Sequence, residues 1–132
     1  MSRRTPLGRV LGLGSAKEGV QHWWSQRTSA VALIPLGLWF AVSLVLLATD
    51  GGLDHAAVTG WIASPVHAVL LLLLVATACH HSRLGVQVVV EDYVHLEWAK
   101  VASLLLSTFV HFLLAAAGLY AILRIAFAGA GA

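Results

Sequence analysis

Three long runs of this sequence contain no charged side chain, and they decide what kind of protein it can form. Asp, Glu, Lys and Arg are all absent from residues 29–49, 62–79 and 101–123. As a helix, each run would span roughly 27–35 Å, which matches the roughly 30 Å hydrocarbon core of a bilayer. A chain of 132 residues could not supply the polar shell needed to bury three such helices in water. We therefore expect an all-α membrane protein with three transmembrane helices.

The expected helices lie at about 28–49, 62–90 and 99–125, within a single membrane-anchor domain, 1–132. The second extends beyond its uncharged run because apolar residues resume after the polar patch 80–83. The first helix should follow a cytoplasmic segment, 1–27, that contains a short amphipathic helix. Ser15 and Glu18 of that segment form a capping-box pattern. No apolar signal-peptide core precedes the first run, so this run should be a permanent anchor.

The basic residues predict the orientation of the chain in the membrane. Before the first expected helix lie five of them, Arg3, Arg4, Arg9, Lys17 and Arg27, whereas residues 50–61 contain none. By the positive-inside rule, the N-terminus and the second loop are cytoplasmic and the C-terminus is outside. A net charge of +2 from eight basic residues, not gathered into a stripe, argues against a nucleic-acid partner.

Residues 80–93 hold two histidines, an arginine, a glutamine, two carboxylates and a tyrosine close to the membrane, where function is to be sought first. Neutral imidazole is a common axial ligand of haem iron. His81 is the best candidate, because Gly85 one turn on would let a flat macrocycle approach and Arg27 and Arg83 could meet its propionates. The alternative for His81 is a hydrogen bond to a serine or a backbone carbonyl of another helix.

Three other histidines are weaker candidates for the iron. His67 and His111 lie in or at the edge of expected helices, and for both we favour interhelical hydrogen bonding. His80 points about 100° away from His81, and we expect it to face a polar groove or the interface.

Asp92 and Tyr93 form a second constellation. A tyrosine hydroxyl can donate to a carbonyl oxygen, and a neighbouring carboxylate can orient it or relay protons. That pairing suits a quinone, although an interfacial tyrosine beside an acidic helix end is the alternative. Near the first helix, Gln21, His22, Ser25 and Arg27 could reach a polar ligand at the cytoplasmic face.

The segment HSRLGVQVVVEDYVH resembles the hydrophobic membrane-anchor subunit of succinate dehydrogenase, respiratory complex II. That family has a histidine, a glycine four residues later, and an Asp-Tyr pair eleven and twelve residues after the histidine. The segment GLGSAKEGVQHWWSQRTSAVAL is similar to the family's approach to its first helix, with Gly19 and Arg27 in matching places. The resemblance covers about residues 12–127.

This resemblance implies that His81 ligates a b-type haem shared with a companion cytochrome b subunit. Tyr93 would donate to ubiquinone beside Asp92, and Arg27, Arg83 and His22 would join the haem-propionate or quinone network. A flavoprotein subunit would oxidise succinate and an iron–sulfur subunit would carry the electrons, in the tricarboxylic acid cycle and aerobic respiration at a bacterial inner membrane. The present chain would be a non-catalytic subunit, active only within that complex.

Two other interpretations stay open at this point. One is a fumarate reductase-type anchor that oxidises quinol. The other is a haem-free accessory or assembly subunit of a different membrane complex. In addition, some family members carry a histidine where this chain has Gln21, with His22 following, so the polar contacts there are not fixed by the resemblance.

Overall fold

A computed structural model describes residues 19–50 and 53–129 of the chain, and these residues are largely α-helical. The helices are α1 (Gly19–Asp50), α2 (His55–Ala63), α3 (Pro65–Tyr93) and α4 (Glu97–Gly129). Three of them are long and apolar enough to cross a membrane, over Val20–Thr49, Pro65–Tyr93 and Glu97–Ala128. The prediction of three long apolar helices is therefore confirmed.

Helix α1 begins earlier than the sequence suggested. It is already helical at Gly19 and continues through Trp23 and Trp24 into the apolar run without a break. No proline or glycine interrupts residues 20–34, so nothing ends the helix at the membrane surface. The expected cap formed by Ser15 and Glu18 lies outside the described residues.

The segment between the first two spans contains a short helix, α2. Asp54 begins α2 by accepting a hydrogen bond of 2.6 Å from the backbone N–H of Ala57. Ser64 then adopts an extended backbone, with φ −63° and ψ 127°, because the ring of the following Pro65 disfavours the helical region. Pro65 opens α3, a position where its missing N–H costs nothing. The second span thus starts at Pro65 and not at 62.

Helix α3 also ends later than predicted, at Tyr93 instead of near Val90. The backbone N–H of Val94 still bonds to the carbonyl of Val90 at 3.0 Å, so the last turn is complete. Asp92 and Tyr93 consequently lie on the helix, with exposed side chains, and not in a loop beyond it.

Helix α3 is the central element, with α1 and α4 packed against it. A small core of Ala68, Leu71 and Ile122 joins α3 to α4, and Trp39, Phe40 and Trp61 pack around it. Most other large apolar side chains of the described residues are exposed, among them Ile34, Leu38, Phe109, Phe112 and Leu113. Such surfaces require lipid or the helices of another subunit.

Candidate functional site

Serine and histidine side chains join the three long helices at one level of the bundle. We call Ser25, Ser29, His80, His81, Ser82 and His111 the serine–histidine layer. In it, Ser25 Oγ lies 2.8 Å from His80 Nε2, Ser29 Oγ lies 3.0 Å from His81 Nδ1, and Ser82 Oγ lies 3.1 Å from His111 Nε2. Each histidine therefore bonds to a serine of a neighbouring helix.

The layer follows from helical spacing. Ser25 and Ser29 are four residues apart, so they share one face of α1. That face meets the second half of α3, which runs antiparallel to α1. Consecutive His80 and His81 then each reach a different serine, one turn apart. Polar groups at membrane depth need such partners, since an unpaired one is costly there.

His81 uses only one of its ring nitrogens in this layer. Its Nδ1 faces the hydroxyl of Ser29, a buried side chain that is only 7% exposed. Within the residues that the structure describes, His81 Nε2 has no hydrogen-bond partner, and the ring is half-buried. The interhelical bond that was the alternative reading of His81 is present, yet it leaves Nε2 available. The residues therefore fit a haem iron at this position.

His111 is engaged through both nitrogens. Its Nδ1 lies 2.7 Å from the carbonyl oxygen of Ser107, and its Nε2 meets Ser82 of α3. His67 bonds to a backbone group instead of a serine, since its Nδ1 lies 2.9 Å from the carbonyl oxygen of Trp61. Its ring also stacks on the Trp61 indole, with 4.9 Å between the ring centroids. Both histidines thus have the hydrogen-bonding role favoured for them, which ties helices together.

Gly85 faces helix α1 rather than open space. A Cβ placed on it would have Gln26 Nε2 as its neighbour at 3.8 Å, an ordinary contact. The side-chain Oε1 of Gln26 and the Nε2 of His22 are buried without a hydrogen-bond partner among the described residues. An orphaned buried polar atom costs about 1–3 kcal/mol. His22 and Gln26 lie one turn apart on α1. The partners of these two side chains must therefore come from outside the described residues of this chain.

The remaining predicted residues are not drawn into one cluster. Arg27 is exposed and its guanidinium carbon lies 5.3 Å from the ring centroid of Trp23 on its own helix. Arg83 is half-buried on α3. Tyr93 lies twelve residues beyond His81, about 18 Å along the helix axis. The structure therefore separates the candidate haem ligand from Asp92 and Tyr93.

Two residues of the site were missed by sequence reasoning as partners of α3. Ser29 and Gln26 were passed over because a serine or glutamine near a helix start has many ordinary roles. The available signal was their register, since Ser29 follows Ser25 by four residues and Gln26 follows His22 by four.

The described chain also encloses a half-open cavity of about 690 Å³, far from His81. It lies between α2 and α4, towards the opposite end of the bundle, and its walls are mostly small side chains. Its polar lining comes from His55, Thr59, Tyr120 and Arg124. None of the predicted haem or quinone residues contributes to it.

Sequence comparison decides the family. The model for the succinate dehydrogenase/fumarate reductase transmembrane subunit matches residues 1–122. The chain belongs to this family. Proteins described as succinate dehydrogenase hydrophobic membrane anchor subunits are similar over long segments. That of Paracoccus denitrificans is 32% identical over 120 residues, covering 91% of this chain and 90% of its own length.

Other family members are similar at the same level. The membrane anchor subunit of Rickettsia bellii is 33% identical over 91 residues, covering 69% of this chain and 70% of the relative. That of Reclinomonas americana is 29% identical over 109 residues, or 74% and 82% of the two chains. No solved structure shows a significant match.

Family membership confirms the resemblance on which the membrane-anchor interpretation was based. The chain is a multi-pass membrane protein that acts as a membrane anchor subunit of succinate dehydrogenase, and it has partner subunits in that complex. This result disfavours an accessory role in an unrelated membrane complex.

Proposed function

We propose that this anchor subunit binds a b-type haem together with a companion cytochrome b subunit, with His81 as its own axial ligand. The observation that carries the proposal is the state of the imidazole: Nδ1 is held by buried Ser29, while Nε2 has no partner among the described residues. Iron-ligating histidines typically have their second nitrogen held in this way. A bound haem would accept and return single electrons.

Two arginines lie at nearly the same membrane depth as His81, where they could bind the haem propionates. Arg27 lies two residues before Ser29, and Arg83 lies two residues after His81, each about 3 Å along its helix from the serine–histidine layer. Arginine holds carboxylates by charge-assisted hydrogen bonds. His22, whose Nε2 is buried without a partner among the described residues, is a further donor for the propionate or quinone network.

We further propose that Tyr93 and Asp92 contribute to a site where ubiquinone is reduced at the cytoplasmic face. Both side chains are exposed on the last turn of α3, which leaves them accessible to a quinone head group and to a neighbouring subunit. The Tyr93 hydroxyl would donate to a quinone oxygen. The Asp92 carboxylate would orient that hydroxyl or pass a proton from water.

In the whole complex, a flavoprotein subunit would oxidise succinate and an iron–sulfur subunit would deliver the electrons to this site. The chain itself would anchor those subunits and perform no catalysis alone. The location would be a bacterial inner membrane, with a cytoplasmic N-terminus and a periplasmic C-terminus, as the basic residues predict. Relatives described as succinate dehydrogenase subunits favour succinate oxidation over a fumarate reductase-type role.

The proposal is tested by purifying the complex with all of its subunits and measuring haem against covalently or tightly bound flavin. Haem and flavin in equal amounts, with succinate-driven ubiquinone reduction, are expected. A complex that reduces ubiquinone at full rate but contains no haem would contradict the haem assignment. A complex that oxidises succinate with an artificial dye but never reduces ubiquinone would contradict the quinone assignment.

A further inference from the structure

We propose that Ser29 is a positioning residue that holds His81 in the tautomer with its proton on Nδ1, so that Nε2 presents its lone pair. This inference rests on the proposed role of His81 as a haem ligand. It adds a residue to which the sequence pattern gave no part. It is carried by the direction in which the hydroxyl of Ser29 donates its single hydrogen.

Ser29 Oγ lies within hydrogen-bond distance of two backbone carbonyls of its own helix. These are the carbonyl oxygens of Ser25, at 2.8 Å, and of Gln26, at 3.0 Å. A hydroxyl has one hydrogen and two lone pairs. Once that hydrogen is donated to the α1 backbone, as is common for serine inside a helix, only lone pairs remain for His81. The contact of 3.0 Å with Nδ1 then requires that Nδ1 donates.

Burial stabilises the hydrogen bond between Ser29 and His81. Among the described residues, Ser29 is the one polar residue that is buried. It is 7% exposed, so water has little access to its hydroxyl. In a medium of low dielectric a hydrogen bond is stronger and leaving a group unpaired is more costly. The ring of His81 should therefore be held in one orientation as well as in one tautomer.

The other histidines of the serine–histidine layer provide an internal comparison. His80 meets Ser25 through Nε2, and His111 meets Ser82 through Nε2. Of the three, His81 alone uses Nδ1 for its bond to a serine of another helix, since the Nδ1 of His111 bonds to Ser107 of its own helix. Among the described residues, Nε2, the nitrogen farther from the backbone, therefore has no partner in His81 and has a serine partner in the other two. The choice of nitrogen distinguishes the ligand from its neighbours, although all three bond to serine.

The test compares Ser29→Ala with Ser25→Ala in the purified complex. Ser25→Ala is a matched control. Ser25 lies one turn away on α1, and its substitution removes the serine partner of His80 instead of that of His81. Ser29→Thr serves as the conservative variant that keeps the hydroxyl. The rate of haem transfer to an excess of apo-globin and the midpoint potential of the haem are measured in each.

Ser29→Ala should weaken haem binding by about 10- to 100-fold, the usual cost of losing such a partner. It should also raise the midpoint potential, because a ligand that donates from Nδ1 is more basic and favours ferric iron. Ser29→Thr should restore both values, and Ser25→Ala should leave both unchanged. Equal losses in the two alanine variants would overturn the proposal, since they would indicate general loosening of α1. Unchanged haem binding in Ser29→Ala would overturn it as well.

A second measurement does not depend on haem. In haem-free membranes that contain the full chain with ¹⁵N-labelled histidine, the His81 signal is identified by its disappearance in His81→Ala. It should report a protonated Nδ1 in the wild type and in Ser29→Thr, and lose that signature in Ser29→Ala. A protonated Nε2 in the wild type would overturn the role of Ser29. By contrast, a complex of His81→Ala that keeps its haem would overturn the proposed function and leave the tautomer result intact.

Discussion

Ser82 of α3 and His111 of α4 are joined side chain to side chain, with 3.1 Å between Oγ and Nε2, at the level where Ser29 of α1 meets His81. Polar links between the three spans are thus concentrated at one end of the bundle. The other end is held by packing of Trp39, Trp61 and His67. The polar end of the bundle is also the end that carries the groups proposed to bind haem and ubiquinone.

The Ser82–His111 contact should behave as an energetic pair with no part in haem binding. Ser82→Ala and His111→Ala should each destabilise the chain by about 0.5–2 kcal/mol, the range for interhelical hydrogen bonds in bilayers. The double variant should cost little more than either single one, because both remove the same bond. Unfolding of the reconstituted subunit in mixed detergent gives these values. Fully additive losses would show that the two side chains act independently.

Close packing between α3 and α4 depends on Gly118. A Cβ added there would lie 2.9 Å from Val75 Cγ1, and a β-branched valine in a helix has little rotamer freedom to move away. Gly118→Ala should therefore destabilise the bundle by about 1–3 kcal/mol.

Gly37→Ala is the matched control for that substitution, because a Cβ at Gly37 meets nothing within 4 Å. It should be neutral or stabilising by up to about 1 kcal/mol, as expected when alanine replaces glycine inside a helix. Thermal denaturation of the two variants distinguishes them. Equal stability of both would contradict the close approach of α3 to α4.

Tyr93→Phe should impair quinone reduction while succinate oxidation with an artificial dye is retained. Loss of one hydrogen bond to the quinone should lower succinate–ubiquinone turnover by about 3- to 10-fold. Tyr120→Phe is the control, since that exposed tyrosine lies on α4 beside the cavity at the opposite end. If the two variants reduced ubiquinone equally fast, Tyr93 would have no place in the quinone site.

The long uncharged runs sufficed to predict the three spans, because hydrocarbon imposes both length and composition on a helix. The boundaries were less predictable. The start of α3 is set by the Ser64–Pro65 step, and that of α2 by the Asp54 cap. These are local features that lie inside or beside an apolar run and do not interrupt it. The late end at Tyr93 reflects helix formation continuing into a polar segment.

Of the site, the candidate histidine could be chosen from the sequence, whereas its partners could not. Which serine faces which histidine depends on the rotation of α1 about its axis, and periodicity in a uniformly apolar helix does not fix that rotation. The arrangement of Ser29 against Nδ1 and of Gln26 against Gly85 therefore needed the structure. The Asp92–Tyr93 pair was proposed from chemistry and resemblance, and it stays a prediction.

The optical spectrum of the purified complex carrying His81→Ala tests the central claim most directly. Loss of the haem Soret band in this variant is expected, because His80 and His111 of the serine–histidine layer use Nε2 for a serine, whereas His81 Nε2 has no partner in the described part of the chain. His80→Ala and His111→Ala, whose Nε2 atoms are bound to serines, should keep the band at wild-type intensity. A full Soret band in His81→Ala, or its loss in His111→Ala alone, would contradict the assignment of His81 as the haem ligand.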